Sequence, residues 1–194
     1  MGGTFNPIHN GHLALAAKAL EQFMLDEVLF MPCGVPYMKA GQRIADGQTR
    51  AEMTALAIEG NPDYKLSVME IEQQGNTYTY QTLERLRKDN PDTEYYFIMG
   101  ADSLFHITDW KFPERIFANC RILAAVRDDK TSGDMAAQIC ALQQKYGAQI
   151  ELLKISKMDI SSSDIRRKAA AGQNIDGDVP ESVSKYIAKK GLYR

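Results

Sequence analysis

The chain has 194 residues, enough for one compact domain with a substantial core. Lys and Arg number 23 against 25 Asp and Glu, a net charge of −2, so the whole molecule is not a polycation built to grip nucleic acid. Hydrophobic residues at 44% and charged residues at 25% argue against long disorder, and no apolar run approaches the roughly 20 residues that a membrane helix needs.

Met1 leads straight into Gly2 and Gly3, so no charged-then-apolar leader is read at the start. The predicted elements then alternate. A helical stripe of Leu13, Ala16, Ala17, Leu20 and Met24 precedes a strand from Val28 to Met31 that stops at Pro32. Met53, Leu56 and Ala57 mark a second helix, and Leu66 to Ile71 is expected as a strand. Tyr95 to Met99 is the next strand, ending before Gly100, followed by Ile122 to Val126. Asp128 to Asp134 reads as a mobile loop, ahead of a helix carrying Met135, Ile139, Leu142 and Tyr146. Ile150 to Ile155 completes the strands, and Pro180 opens a last helix that Gly191 stops.

Several strands are apolar at consecutive positions, as strands covered on both faces should be. The alternation predicts an α/β fold: a Rossmann-like, doubly wound, mostly parallel sheet in one domain over residues 1–194, with helices on both faces. Ligands in such folds sit at the carboxyl ends of the strands. A fold of this kind normally opens on a strand, and here residue 1 already stands in a glycine turn, so the first strand is expected to be missing.

The densest chemical signal is Gly2-Gly3-Thr4-Phe5-Asn6-Pro7-Ile8-His9-Asn10-Gly11-His12, which holds two of the three histidines. Gly2, Gly3 and Gly11 allow close backbone approach, and a helix starting near Asn10 offers unpaired N–H groups to an anion. Capping of that helix by the same histidines is the plain alternative. Zinc lacks a third ligand at suitable spacing, and no Gly-Lys phosphate loop, GxGxxG or GxSxG occurs.

The second signal is Ile160-Ser161-Ser162-Ser163-Asp164-Ile165-Arg166, which places hydroxyls and a guanidinium at another helix start. From Lys154 to Arg194 the net charge is +4, leaving −6 for the remainder. The three cysteines, Cys33, Cys120 and Cys140, form no CxxC pair, which fits a reducing, cytoplasmic setting.

The opening run resembles the GG[ST]F[DN]PxHxGH signature of the HxGH nucleotidyltransferases, and Ile160 to Arg166 resembles their ISSTxIR motif. Within that superfamily the chain is similar to the bacterial nicotinate mononucleotide adenylyltransferases. Pro36-Tyr37-Met38-Lys39, Arg50-Ala51-Glu52-Met53, Thr77-Tyr78-Thr79-Tyr80-Gln81-Thr82, Gly100-Ala101-Asp102, Asp109-Trp110 and Gly191-Leu192-Tyr193 match their further segments. Ser163 stands where threonine is usual, and Tyr37-Met38 replaces a common Pro-His, leaving Lys39 as that loop's cation.

The resemblance implies transfer of AMP from ATP to nicotinate mononucleotide. The products are nicotinate adenine dinucleotide and pyrophosphate, a step in NAD biosynthesis, with Mg²⁺ offsetting charge. His12 would meet the α-phosphate, with His9 beside it on the triphosphate and Ser161, Ser162 and Arg166 at the β/γ end. Gly3, Thr4, Phe5, Gly11, Gly100 and Asp102 complete the implied ATP side. Lys39, Arg50, Thr77, Tyr78, Thr79 and Trp110 form the implied mononucleotide side. Trp110, the only tryptophan, sits among Thr108, Asp109 and Lys111, an awkward place for a core residue but suited to stacking on a pyridine ring. Backbone N–H groups around Thr77 to Thr79 would hold the nicotinate carboxylate and favour the acid over the amide.

The alternatives are an acceptor such as nicotinamide mononucleotide or phosphopantetheine, a cytidylyltransferase, and a non-catalytic nucleotide sensor. Single-strand RNA binding is disfavoured, because Tyr95-Tyr96-Phe97 reads as a buried strand. A homo-oligomer is compatible with the sequence.

Overall fold

The structure is a computed structural model that describes residues 1–34, 44–127, 133–156 and 158–194. The chain opens with β1 (Gly2–Gly3), α1 (Asn10–Phe23), β2 (Val28–Pro32), α2 (Gly47–Ile58) and β3 (Tyr64–Leu66). Next come α3 (Met69–Glu72), α4 (Thr79–Asp89), β4 (Tyr96–Gly100), α5 (Ala101–Phe105), a 3₁₀ turn (Ile107–Asp109) and α6 (Pro113–Asn119). The chain closes with β5 (Arg121–Arg127), α7 (Gly133–Tyr146), β6 (Ile150–Ile155), α8 (Ser162–Ala170) and α9 (Glu181–Lys190).

Every strand pairing is parallel, as crossover helices between strands require. The expected single sheet is divided into two three-stranded sheets, β1-β2-β3 and β4-β5-β6. The two residues of β1 pair with Met31 and Pro32 of β2, and β1 forms no ladder with β4. The glycines expected in a turn therefore lie in a short strand.

Strand β5 shows why these runs are apolar throughout. Leu123 and Ala125 enter one core with Phe5, Ile8, Phe30, Ile165 and Val183, while Ile122, Ala124 and Val126 enter another with Leu104, Ile116 and Leu142. Alternate side chains leave opposite faces of a strand, and here both faces are covered.

One strand assignment is corrected. Leu66 to Ile71 does not run on as a strand, because β3 ends at Leu66 and Met69–Glu72 turns into α3. A short apolar run cannot separate a strand from a buried helical turn by periodicity alone. Pro180 sits one position before α9 rather than in its first turn, and Gly191 ends that helix with the left-handed φ of 60° its C-cap needs. Most of the loop expected from Asp128 lies outside the described residues, and α7 already begins at Gly133.

Candidate active site

The turn from Thr4 to His9 joins β1 to α1, and its shape is set by contacts from distant parts of the chain. Asn6 is 3% exposed, and its Oδ1 accepts from the Ala45 N–H at 3.1 Å and from the Tyr193 hydroxyl at 2.9 Å. The Asn6 carbonyl accepts from Arg166 Nη1 at 2.9 Å, and the Pro7 carbonyl accepts from the Ser162 hydroxyl at 2.9 Å. Two stretches more than 150 residues apart are thereby tied backbone to side chain.

His9 and His12 stack with ring centroids 3.7 Å apart and planes 25° from parallel. Phe5, held at a left-handed φ of 46°, sets its ring edge-on to His12 at 5.0 Å. His12 Nδ1 accepts from the His9 backbone N–H at 3.2 Å, which puts the proton of a neutral imidazole on Nε2 as a donor. His9 is 8% exposed and its Nδ1 is buried without a hydrogen-bond partner among the described residues. Burial lowers its pKa from 6.5 to about 4, with the charge of Asp178 opposing weakly, so its ring is neutral at pH 7.

Gly11 packs against the ring of His9. A Cβ at this position would lie 3.0 Å from His9 Nδ1 and 3.1 Å from its Cε1, so glycine makes room for the stacked ring.

At the start of α8, Ser161 is the N-cap, accepting from the Asp164 N–H at 3.1 Å while donating to its carboxylate at 2.8 Å. The Ser163 hydroxyl accepts from Arg166 Nη2 at 3.3 Å. All three serine hydroxyls are thus engaged within the protein. What α8 offers an anion is the N–H groups of its first turn, which lack intrahelical acceptors, together with the guanidinium of Arg166.

These two turns line one cavity of about 320 Å³, with Thr4, Phe5, His9 and His12 on one side and Ser161, Ser162 and Arg166 on the other. Thr4 also lines a larger cleft of about 1420 Å³, shared with Gly3, Thr77, Thr79, Asp102 and Trp110. Thr77 and Tyr78 lead into α4 with Tyr78 as its N-cap, so the turn expected to hold a carboxylate is a helix N-terminus. Trp110 is half-buried, edge-on to Phe97 at 6.2 Å. Asp102 is exposed in the first turn of α5, and Gly100, at the end of β4, has nothing within 4 Å of a notional Cβ among the described residues.

Arg50 requires a correction. It was expected on the mononucleotide side, but it is 1% exposed and lines neither cavity. Its Nε donates to the Ala45 carbonyl at 3.0 Å, Nη1 to the Thr4 carbonyl at 2.8 Å and Nη2 to the Gly34 carbonyl at 3.0 Å. A guanidinium committed in this way fixes backbone rather than substrate. Tyr78 lines neither cavity; its ring stacks on Tyr80, with the Lys111 ammonium 4.5 Å above its centroid. Lys39 lies outside the described residues.

Sequence reasoning gave no role to Asn6, Glu70, Thr82 or Tyr193. Asn6, Thr82 and Tyr193 stand inside quoted motifs, so spacing marked the segments without disclosing the bonds these side chains make. Glu70 carried no signal, since a lone carboxylate in an apolar run reads as an outward-facing charge.

Parallel strands, a stacked imidazole pair at one helix start and a guanidinium beside the Ser162 and Ser163 N–H groups at another define a nucleotide-binding transferase fold. The chain belongs to the cytidylyltransferase-like family, whose model matches residues 1–168. Its relatives within that class carry the name nicotinate-nucleotide adenylyltransferase. One from Lachnoclostridium phytofermentans is 46% identical over 193 residues, covering 100% of this chain and 96% of the relative. One from Streptomyces coelicolor is 38% identical over 194 residues, covering 100% of this chain and 99% of the relative. Among solved structures, Plasmodium falciparum nicotinic acid mononucleotide adenylyltransferase complexed with NaAD shares the fold, with a TM-score of 0.78. It is 20% identical, with 99% of this chain and 94% of that one covered. The same protein complexed with APC gives a TM-score of 0.76.

Proposed function

We infer that this chain transfers the adenylyl group of ATP to nicotinate mononucleotide, releasing pyrophosphate and forming nicotinate adenine dinucleotide. The observation that carries the reading is the shared cavity of the His9–His12 and Ser161–Arg166 turns, joined through Thr4 to the cleft holding Thr77, Thr79 and Trp110. The full-length relatives named nicotinate-nucleotide adenylyltransferase support the same acceptor.

The chemistry asks little of a general base. A phosphate monoester has a second pKa of about 6, so the acceptor is largely dianionic at neutral pH. One of its oxygens forms the new bond to the α-phosphorus of ATP as the bond to the α–β bridging oxygen breaks, and that electron pair leaves with pyrophosphate. What the protein supplies is positioning and charge stabilisation. His12 donates from Nε2 to an α-phosphate oxygen. His9 acts beside it as a neutral donor rather than a cation. Arg166 and the first-turn N–H groups of Ser162 and Ser163 take the β/γ end. Asp102 accepts from the ribose or base, and Lys39 meets the incoming phosphate. Trp110 stacks on the pyridine ring, and the N-terminus of α4 receives its carboxylate.

Among the described residues no group of three or more His, Cys, Asp or Glu is placed to hold a metal ion. We take Mg²⁺ to enter with the nucleotide substrate, coordinated through its phosphates. Among the described residues no helix is long and apolar enough to cross a membrane, and Cys33, Cys120 and Cys140 form no disulfide.

The test is pyrophosphate release from Mg·ATP with nicotinate mononucleotide, nicotinamide mononucleotide or phosphopantetheine as acceptor. Turnover highest with nicotinate mononucleotide supports the reading, and preference for either other acceptor overturns it.

A further inference from the structure

Glu70 lies in the wall of the large cleft on α3, in neither of the turns that carry the implied chemistry. Its Oε1 accepts from the Thr82 hydroxyl at 2.8 Å and its Oε2 from the Thr77 hydroxyl at 3.3 Å. Two buried hydroxyls therefore converge on one half-buried carboxylate, one from the turn before α4 and one from α4 itself. Gly34, two residues beyond β2, packs against the backbone of the same glutamate.

The opposite end of Gly34 is held as firmly. Its carbonyl accepts from Arg50 Nη2, and Arg50 Nη1 holds the Thr4 carbonyl. The close fit leaves no room for a side chain, because a Cβ at Gly34 would lie 2.2 Å from the Glu70 carbonyl oxygen. A continuous series of contacts, hydrogen bonds except for the packing of Gly34 on Glu70, thus runs from Thr77 and Thr82 through Glu70, Gly34 and Arg50 to Thr4. It begins at the turn expected to hold the acceptor's carboxylate and ends at the residue common to both cavities.

We propose that Glu70 is a positioning residue for the acceptor: it fixes the Thr77–Thr79 turn at the start of α4 and locks it, through Gly34 and Arg50, to the turn that faces ATP. Glu70 acts through Thr77 and Thr82 rather than by touching the pyridine, and this role rests on the adenylyl-transfer reading above. Removing one oxygen acceptor leaves the buried hydroxyl of Thr77 or Thr82 without that partner.

Glu70→Gln tests this. The expected result is a KM for nicotinate mononucleotide raised about tenfold, the worth of one hydrogen bond, with the KM for ATP within about twofold of the parent. A rise shared equally by both substrates, or a lowered thermal midpoint with neither KM moved, overturns the proposal in favour of a purely structural carboxylate. Should Glu70→Gln fail to fold, Thr82→Val and Thr82→Ser give the same reading: the valine raises the acceptor KM alone, and the serine restores it. The parent protein in the same assay separates the two claims. If it turns over a different acceptor, the substrate assignment fails while the KM split is read on that acceptor instead.

Discussion

Arg166 donates from Nη1 to the carbonyl oxygen of Asn6 at 2.9 Å across a sequence separation of 160. The guanidinium thereby fixes the turn that carries the histidines and still lines the cavity they face. Arg166→Ala removes both contributions. The KM for ATP should rise about 10- to 100-fold, as loss of hydrogen bonds to a charged group implies. Arg166→Lys should recover only part of this, since an ammonium cannot reproduce the planar fork. Steady-state kinetics with ATP varied at saturating acceptor checks both, and an unchanged KM contradicts the role.

His12 is placed as a donor by the His9 N–H on its Nδ1. His12→Ala should lower kcat by about 10² or more while far-UV circular dichroism stays that of the parent. Near-normal turnover would remove His12 from the mechanism.

His9 makes stability depend on pH. Its pKa is about 4 in the folded chain against 6.5 when unfolded. Between those values the unfolded chain binds a proton that the folded chain refuses, so stability rises with pH through the window and is fully present above 6.5. Acidification across it should cost about 3 kcal/mol at this residue. Urea unfolding at either end of the window should show His9→Gln losing less stability than the parent by that order, and equal losses would contradict it.

Trp110 faces the large cleft from beyond the 3₁₀ turn, edge-on to Phe97. Trp110→Ala should raise the KM for nicotinate mononucleotide by about tenfold with little change for ATP, the scale of one lost stacking contact. Equal effects on both substrates would mark Trp110 as packing alone.

The fold was legible because its signals are local. Ile150 to Ile155 is the observed β6, and the stripe from Leu13 falls on α1, since an apolar period is written within each segment. The strand from Leu66 failed because the half-burial of Met69 and Ile71 beside Glu70 is settled by neighbours the period does not name. The site was legible to the level of motif. His9, His12, Ser161 and Arg166 do meet in one cavity, but the roles of Arg50 and Gly11 did not follow from their types. Arginine reads as an anion binder until its partners prove to be three carbonyls, and glycine as a phosphate turn until a ring occupies the missing Cβ's place. Both facts belong to packing between distant segments.

Hydrogen exchange with and without Mg·ATP tests the central claim most directly. If one triphosphate bridges the two helix starts, amides at 9–13 and at 162–166 should gain protection together, with the same midpoint in nucleotide concentration. Protection of one stretch while the other exchanges unchanged would contradict a shared site.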